Sequence, residues 1–338
     1  MKGWKIIDQK TLEEREINSS LEGNTISKVK ITKSLITLSD VLRFSGESEH
    51  ENVVLGSYGI GVISETDANL LGIEKGEHVY IEPNRPCEKC FNCINGQVAK
   101  CSDLLIAGED FDGFLCDFTA TDSNNLYVLP ESVTDKQALF IGHISKAVSV
   151  VDKLNIQKGD YVAIIGANNF GIILAQILIY YQAVPIILTT DEEDLKTAKD
   201  SGIYYALGPN DNWQKEVSSI TGGRLAKCGV YIADCNIPAS KAFALVSFGA
   251  HVAFTGESFK NATITFTQAV KKQLRIHCIN RGVGNTAAAI NLIANKAIDL
   301  SHLNIKEVTY ADVPNTFNEL YKQLTEKEKV YETIVNLI

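Results

Sequence analysis

Tyr161-Val-Ala-Ile-Ile-Gly166-Ala-Asn168-Asn169-Phe170-Gly171 is the stretch from which the fold is read. It opens with an uninterrupted apolar run of β-branched character, which is expected where helices cover both faces of a parallel sheet. A glycine turn follows and leads into a helical pattern over Ile172 to Tyr181. Strand, glycine turn and helix in that order form a cradle in which backbone amides and the helix dipole face an anion such as a pyrophosphate. Gly166 permits the tight turn, and Gly171 lets the helix pack close to the strand. The middle glycine of the pattern is replaced by Asn168, a residue that tolerates unusual backbone angles better than most. Gly166, Asn168, Asn169, Phe170 and Gly171 are therefore the candidate dinucleotide-binding residues.

Downstream, strands alternate with helices. Val184 to Leu188 precedes a helix over Glu192 to Ser201, and Gly229 to Ile232 precedes one over Ala239 to Ser247. His251 to Phe254 and Arg275 to Ile279 read as further strands. This alternation predicts a doubly wound α/β domain. An acid at the end of the second strand holds the ribose of NAD in such domains. Here Thr189 and Thr190 stand at that place and Asp191 follows. The absent acid removes the NAD signature, so NAD and NADP both stay open, with a lean to NADP.

Upstream the texture differs. Residues 1 to about 145 are β-rich, with strands at Lys5 to Ile7, Ser27 to Ile31, Gly59 to Ile63 and His78 to Ile81 and turns at Leu21-Glu-Gly-Asn24 and Glu74-Lys-Gly-Glu77. An excursion over about 85–103 carries Cys87-x2-Cys90-x2-Cys93-x7-Cys101. Thiolates at this spacing wrap one tetrahedral zinc ion and leave no position open, which makes a structural site. A disulfide framework is the alternative, but it belongs to short secreted chains. The tail adds a helix from Thr286, a strand near Ile305 to Val308, a helix from about Pro314 to Leu324 and a last strand over Val330 to Leu337.

The 338 residues carry a net charge of −9, with 45% hydrophobic and 22% charged side chains. That balance argues against a nucleic-acid footprint and against disorder. No apolar run has the length of a membrane span, and the N-terminus turns polar too soon for a secretory signal. The expectation is a cytoplasmic protein that meets neither nucleic acid nor membrane.

The cysteine lobe, Val53-Val-Leu-Gly-Ser-Tyr-Gly-Ile-Gly-Val-Ile-Ser-Glu65, Gly76-Glu-His-Val79, Asp112-Gly-Phe114, Leu126-Tyr-Val-Leu-Pro130 and Gly159-Asp-Tyr-Val162 together resemble the medium-chain dehydrogenase/reductase family of zinc alcohol, polyol and threonine dehydrogenases. The resemblance runs from about residue 25 to the C-terminus. It implies a GroES-like β-rich domain, residues 1–145 with 284–338, beside a Rossmann domain of residues 146–283. It also implies a small-molecule substrate and a homodimer or homotetramer.

The family's catalytic zinc takes a cysteine, a histidine and a third ligand. At the matching places this chain has Thr37, Ser57 (in Gly56-Ser57-Tyr58) and either Ile141 or Gly142 of Phe140-Ile-Gly-His143. Such side chains do not hold Zn²⁺, which prefers thiolate and imidazole. One structural zinc per chain and no catalytic zinc are therefore expected.

Without a Lewis acid, simple alcohol oxidation loses its main charge stabilisation. Reduction of an activated enone, imine, quinone or carbonyl needs only hydride and one placed proton donor. Ser39 matches the family's relay hydroxyl, Tyr58 replaces an acid and His143 neighbours the third ligand place. These three are the candidate catalytic residues. Ser39 is also readable as a helix cap. Arg43 and Arg281 are candidates for phosphate or substrate anions, Arg281 being counted with the coenzyme site, and surface pairing is the alternative for each. Two other classes stay open: a non-catalytic descendant that binds a nucleotide or small molecule, and a non-redox enzyme using the cleft for elimination or cyclisation.

Overall fold

The computed structural model describes residues 1–17, 25–46, 52–66, 72–233, 235, 237–257, 264 and 266–337. The turn expected at Leu21 to Asn24 lies outside them. The chain divides into two compact units, Met1–Ile141 with Ile305–Ile338, and Gly142–Asn304.

The first unit is built on a seven-stranded, mostly antiparallel sheet. Its central strand, Ile26–Ile36, alternates buried and open positions, as a sheet with one face on the core requires. It pairs with Tyr58–Thr66, Phe118–Asp122 and, from the tail, Glu332–Asn336. His78–Ile81 and Leu126–Val128 extend the sheet on one side and Ile305–Thr309 on the other. The central strand runs directly into the short helix Leu38–Phe44. Phe44 seats that helix on the Val313–Thr325 helix, its ring 5.3 Å from that of Phe317, with both rings buried. This packing fixes Thr37, Ser39 and Asp40.

The cysteine excursion leaves and rejoins the unit through a two-stranded ladder, Asn84–Arg85 against Leu105–Ile106. The Arg85 guanidinium stacks on Phe111, 3.8 Å from the ring centroid.

The second unit holds a six-stranded parallel sheet. Its order is Tyr205–Leu207, Val184–Leu188, Tyr161–Ile165, Ala226–Ile232, Val246–Thr255, Arg275–Cys278. The order reverses between the third and fourth of these, where a doubly wound sheet opens its ligand crevice. The Asn169–Tyr180 helix is buried all round from Asn169 to Leu178, which explains why its sequence lacks a polar face.

The helix expected over Ala239 to Ser247 is shorter. It covers Ser240–Ala244, and Val246 already pairs with Ala226 in the sheet. Ladder bonding to a neighbouring strand outweighs the local helical pattern there. The strand Tyr205–Leu207 and the helix Trp213–Ile220, capped by Asn212, are additional elements. The Thr286–Ala294 helix belongs to the second unit by its contacts. Asn285 donates to Ser149 Oγ at 2.8 Å, and Gln176 donates to the Asp299 carbonyl at 2.7 Å.

Candidate functional site

In the first unit, strand end, helix start and the turn before Tyr58–Thr66 converge on one carboxylate, Asp40, which is fully buried. Its Oδ2 accepts from Thr37 N–H at 2.8 Å, Thr37 Oγ1 at 3.1 Å and Ser57 Oγ at 2.9 Å. Its Oδ1 accepts from Gly56 N–H at 2.9 Å and lies 4.0 Å from Arg43 Nη1. The two hydroxyls stand 3.1 Å apart. Thr37 and Ser57, which the resemblance sets at two of the family's three metal-ligand places, are therefore turned onto an acid within their own unit. A buried carboxylate is tolerable only when hydrogen-bonded, and these donors meet that need.

Thr37, not Ser39, is the N-cap of the helix, and the Thr37 N–H to Asp40 bond is the returning half of a capping box. The reading of Ser39 as the cap is corrected by that geometry. Ser39 sits half-buried in the first turn. Arg43 is buried and pairs with Glu109, so its guanidinium is occupied inside the unit. Tyr58 is half-buried and opens its strand, its carbonyl accepting from Ser34 Oγ at 3.0 Å. Beside it, the buried Tyr80 phenol is pushed well up, by burial first and then by Glu82 and Tyr58. Asp40 and Glu109 were not identified from the sequence, although Thr37-x-x-Asp40 carries the capping-box spacing.

In the lobe, the Sγ atoms of Cys87, Cys90, Cys93 and Cys101 all lie within 4.8 Å of one another. That spread suits four thiolates on one ion with bonds near 2.3 Å. The Cys87 N–H donates to Cys101 Sγ at 3.2 Å, an outer contact that orients a ligand. Backbone amides of Cys93 and Ser102 hold the Cys90 thiol down at about 6. Lost hydration, and then the Cys90 sulfur, push Cys93 up to about 12. Among the described residues this is the one cluster of three or more such ligands, and it could hold a structural zinc.

In the second unit the phosphate turn has the expected frame. Gly166 has φ +111°, and its N–H donates to the Leu188 carbonyl at 2.9 Å. A Cβ on Gly171 would stand 2.3 Å from the Gly166 carbonyl oxygen, so that helix approaches the strand as only glycine allows. Asn168 differs from expectation. Its φ is −65°, which any residue adopts, and its role is to cap the helix, Oδ1 accepting from Gly171 N–H at 3.1 Å. The side chain thus takes one amide that an anion would otherwise meet. Asn169 is turned away, exchanging two 2.9 Å hydrogen bonds with the Asn304 backbone. The dipole and the glycine frame fit a pyrophosphate, and the Asn168 cap opposes it.

At the second strand's end, Thr189 is buried and its Oγ1 accepts from Asp191 N–H at 3.1 Å. Thr190 is exposed. Asp191 caps the next helix through Asp194 N–H at 2.9 Å. Glu192, Glu193 and Asp194 crowd that helix's first turn. Phe170 is buried, and His143 lies beside it with ring centroids 6.5 Å apart. Lys146, one helical turn after His143, places Nζ 5.0 Å from the same ring. Arg281 is half-buried in the loop after Arg275–Cys278. Ser39 and Tyr58 belong to the first unit, while His143, Arg281 and the phosphate turn belong to the second.

No helix among the described residues is long and apolar enough to cross a membrane. The alcohol dehydrogenase GroES-like domain family matches residues 23–131. An uncharacterized zinc-type alcohol dehydrogenase-like protein of Haemophilus influenzae is 24% identical over 269 residues, 79% of either chain. D-xylulose reductase A of Aspergillus oryzae is 26% identical over 283 residues, 79% of this chain and 77% of that one. A crystal structure of an Escherichia coli CFT073 short chain alcohol dehydrogenase (rspB), complexed with NADH, superposes with a TM-score of 0.84. It has 22% identity and covers 100% of this chain and 99% of that one. Residues 23–131 belong to the alcohol dehydrogenase GroES-like domain family, and in fold and relatives the whole chain is similar to the alcohol dehydrogenase-like oxidoreductases of the medium-chain dehydrogenase/reductase family.

Proposed function

We propose that this protein is a nicotinamide-dependent reductase of an activated small molecule (enone, imine, quinone or carbonyl) that works without catalytic zinc. The Asp40 cluster is the observation that carries the reading. Thr37 and Ser57, at two of the family's ligand places, satisfy a buried carboxylate. Neither offers the thiolate or imidazole that zinc prefers. Structural zinc, one per chain, is assigned to the four thiols of the lobe.

A reduced nicotinamide supplies the hydride when bound. The chain then has to place a proton and an orienting dipole. Tyr58 and His143 are the proposed donors to the substrate oxygen, nitrogen or carbon, and Ser39 the orienting hydroxyl. The Gly166–Gly171 turn, Thr189, Thr190 and Arg281 are proposed to hold the coenzyme, in a dinucleotide-binding domain that extends the expected 146–283 to the unit Gly142–Asn304, the other unit being the GroES-like catalytic domain. Against the sequence's lean to NADP, the acids at 191–194 favour NADH over its 2′-phosphorylated form, because a phosphate there meets like charge. A homodimer or homotetramer in the cytoplasm completes the proposal.

Fluorescence titration of metal-analysed protein with NADH and NADPH tests it, followed by turnover of an enone and a quinone by Tyr58→Phe and His143→Ala. Binding of a reduced coenzyme, about one zinc per chain and loss of turnover in one of the variants are expected. Two zinc ions per chain overturn the zinc-free mechanism. A second reading, a non-catalytic family descendant, is favoured by the Asn168 cap over the phosphate turn. Failure to bind either coenzyme would select it.

A further inference from the structure

We propose that Lys146 sets which oxidation state of the coenzyme the site binds better: its ammonium favours a neutral dihydronicotinamide over the cationic oxidised ring. The inference rests on the coenzyme reading above.

A dinucleotide lies outside the carboxyl ends of the strands, across the point where their order reverses. Its ribose-recognition end falls beyond Val184–Leu188, where Thr189 stands. Its other end then falls on the side of Ala226–Ile232 and Val246–Thr255. Lys146 occupies that side. Its Nζ is 5.0 Å from the centroid of Phe170, in the first turn after the phosphate loop, and 3.7 Å from Glu257 Oε1, just past the end of Val246–Thr255.

The lysine is held there firmly. Its side chain is 10% exposed. A Cβ on Gly282 would lie 2.1 Å from the Ser145 carbonyl carbon and 2.2 Å from Lys146 N, so the loop after the last strand is pressed on the helix backbone at this residue. Among the described residues no acceptor lies within hydrogen-bond distance of Nζ, and the Glu257 contact is too long for one. The ammonium is therefore only partly neutralised and keeps hydrogen-bonding capacity. Two Oγ atoms of the same region, Ser145 and Thr255, are also buried without a hydrogen-bond partner among the described residues. Among the described residues the region thus holds donors and a cation, with Glu257 the one carboxylate within 4.0 Å of that cation.

A second positive charge brought within about 10 Å of an ammonium, at an effective dielectric of about 20, is repelled enough to shift a binding ratio about tenfold. NADH and NAD⁺ differ by that one charge on the ring and share the rest of their contacts. The ratio of their affinities therefore reads the field of Lys146 without requiring the substrate.

The experiment is calorimetric or fluorescence titration of NADH and NAD⁺ into wild type, Lys146→Met, Lys146→Arg and Glu257→Gln, with melting curves to verify folding. Wild type is expected to bind NADH about tenfold tighter than NAD⁺. Lys146→Met should collapse that ratio mainly by tightening NAD⁺, Lys146→Arg should retain it and Glu257→Gln should widen it. If both coenzymes bind and the ratio ignores these substitutions, the inference fails and the coenzyme reading stands. If wild type binds neither, the reading and the inference fall together. Should Lys146→Met not fold, an unchanged ratio in Glu257→Gln overturns the proposal by itself.

Discussion

The cysteine lobe and the Asp40 cluster meet the same demand, polar atoms drawn together, in opposite ways. The lobe gathers four soft donors within 4.8 Å on a segment with little apolar core of its own. The Asp40 cluster gathers hard donors, two hydroxyls and two amides, on a buried carboxylate inside the main core of its unit. Thiolates repel one another until a cation enters, so the lobe depends on something outside the chain. The cluster is complete by hydrogen bonding alone. The Thr37 and Ser57 hydroxyls are thereby satisfied by the acid beside them.

Four experiments break or sharpen that comparison. Stripping zinc with a strong chelator, or Cys101→Ser, should have the largest effect. Ligand binding and folding are one process in such lobes, with about 10 kcal/mol of apparent metal affinity at stake. The loss should appear as protease cleavage within 87–101 while the rest of the chain stays resistant. Asp40→Ala comes next, at about 3 kcal/mol in denaturant unfolding, since it orphans several buried donors at once. Its zinc content should not change, and a fall there would show that the two regions are not independent. Ser57→Ala and Thr37→Val should each cost about 1 kcal/mol, one hydrogen bond to a charged acceptor among several. Smallest is Asn168→Gly. Glycine loses only a few tenths of a kcal/mol as a cap, and the freed Gly171 amide should tighten NADH binding. Weaker binding would show that the cap assists the phosphate turn.

The parallel unit was legible because its signals are local. Tyr161–Ile165, Val184–Leu188 and the glycine turn appear where the residue pattern puts them. Edges were less legible. Tyr205–Leu207 is too short to show alternation, and Val246 turns into strand only because Ala226 offers it a ladder. At the site, the donors missing from the metal places could be read directly from residue type. The Asp40 contacts of Gly56 and Ser57 could not.

By itself, the sequence determined the thiol spacing, the absence of soft donors at 37 and 57 and the strand–turn–helix that makes the second unit doubly wound. These are properties of neighbouring residues, and spacing along the chain is enough to state them. Tertiary structure decided that Asp40 collects Thr37, Gly56 and Ser57, that Asn168 bonds its own helix and that Lys146 reaches Phe170 and Glu257. Apart from the Asn168 cap and the Thr37–Asp40 capping box, those contacts join segments far apart in the chain. Packing of helices on sheets brings them together, and no local periodicity encodes it.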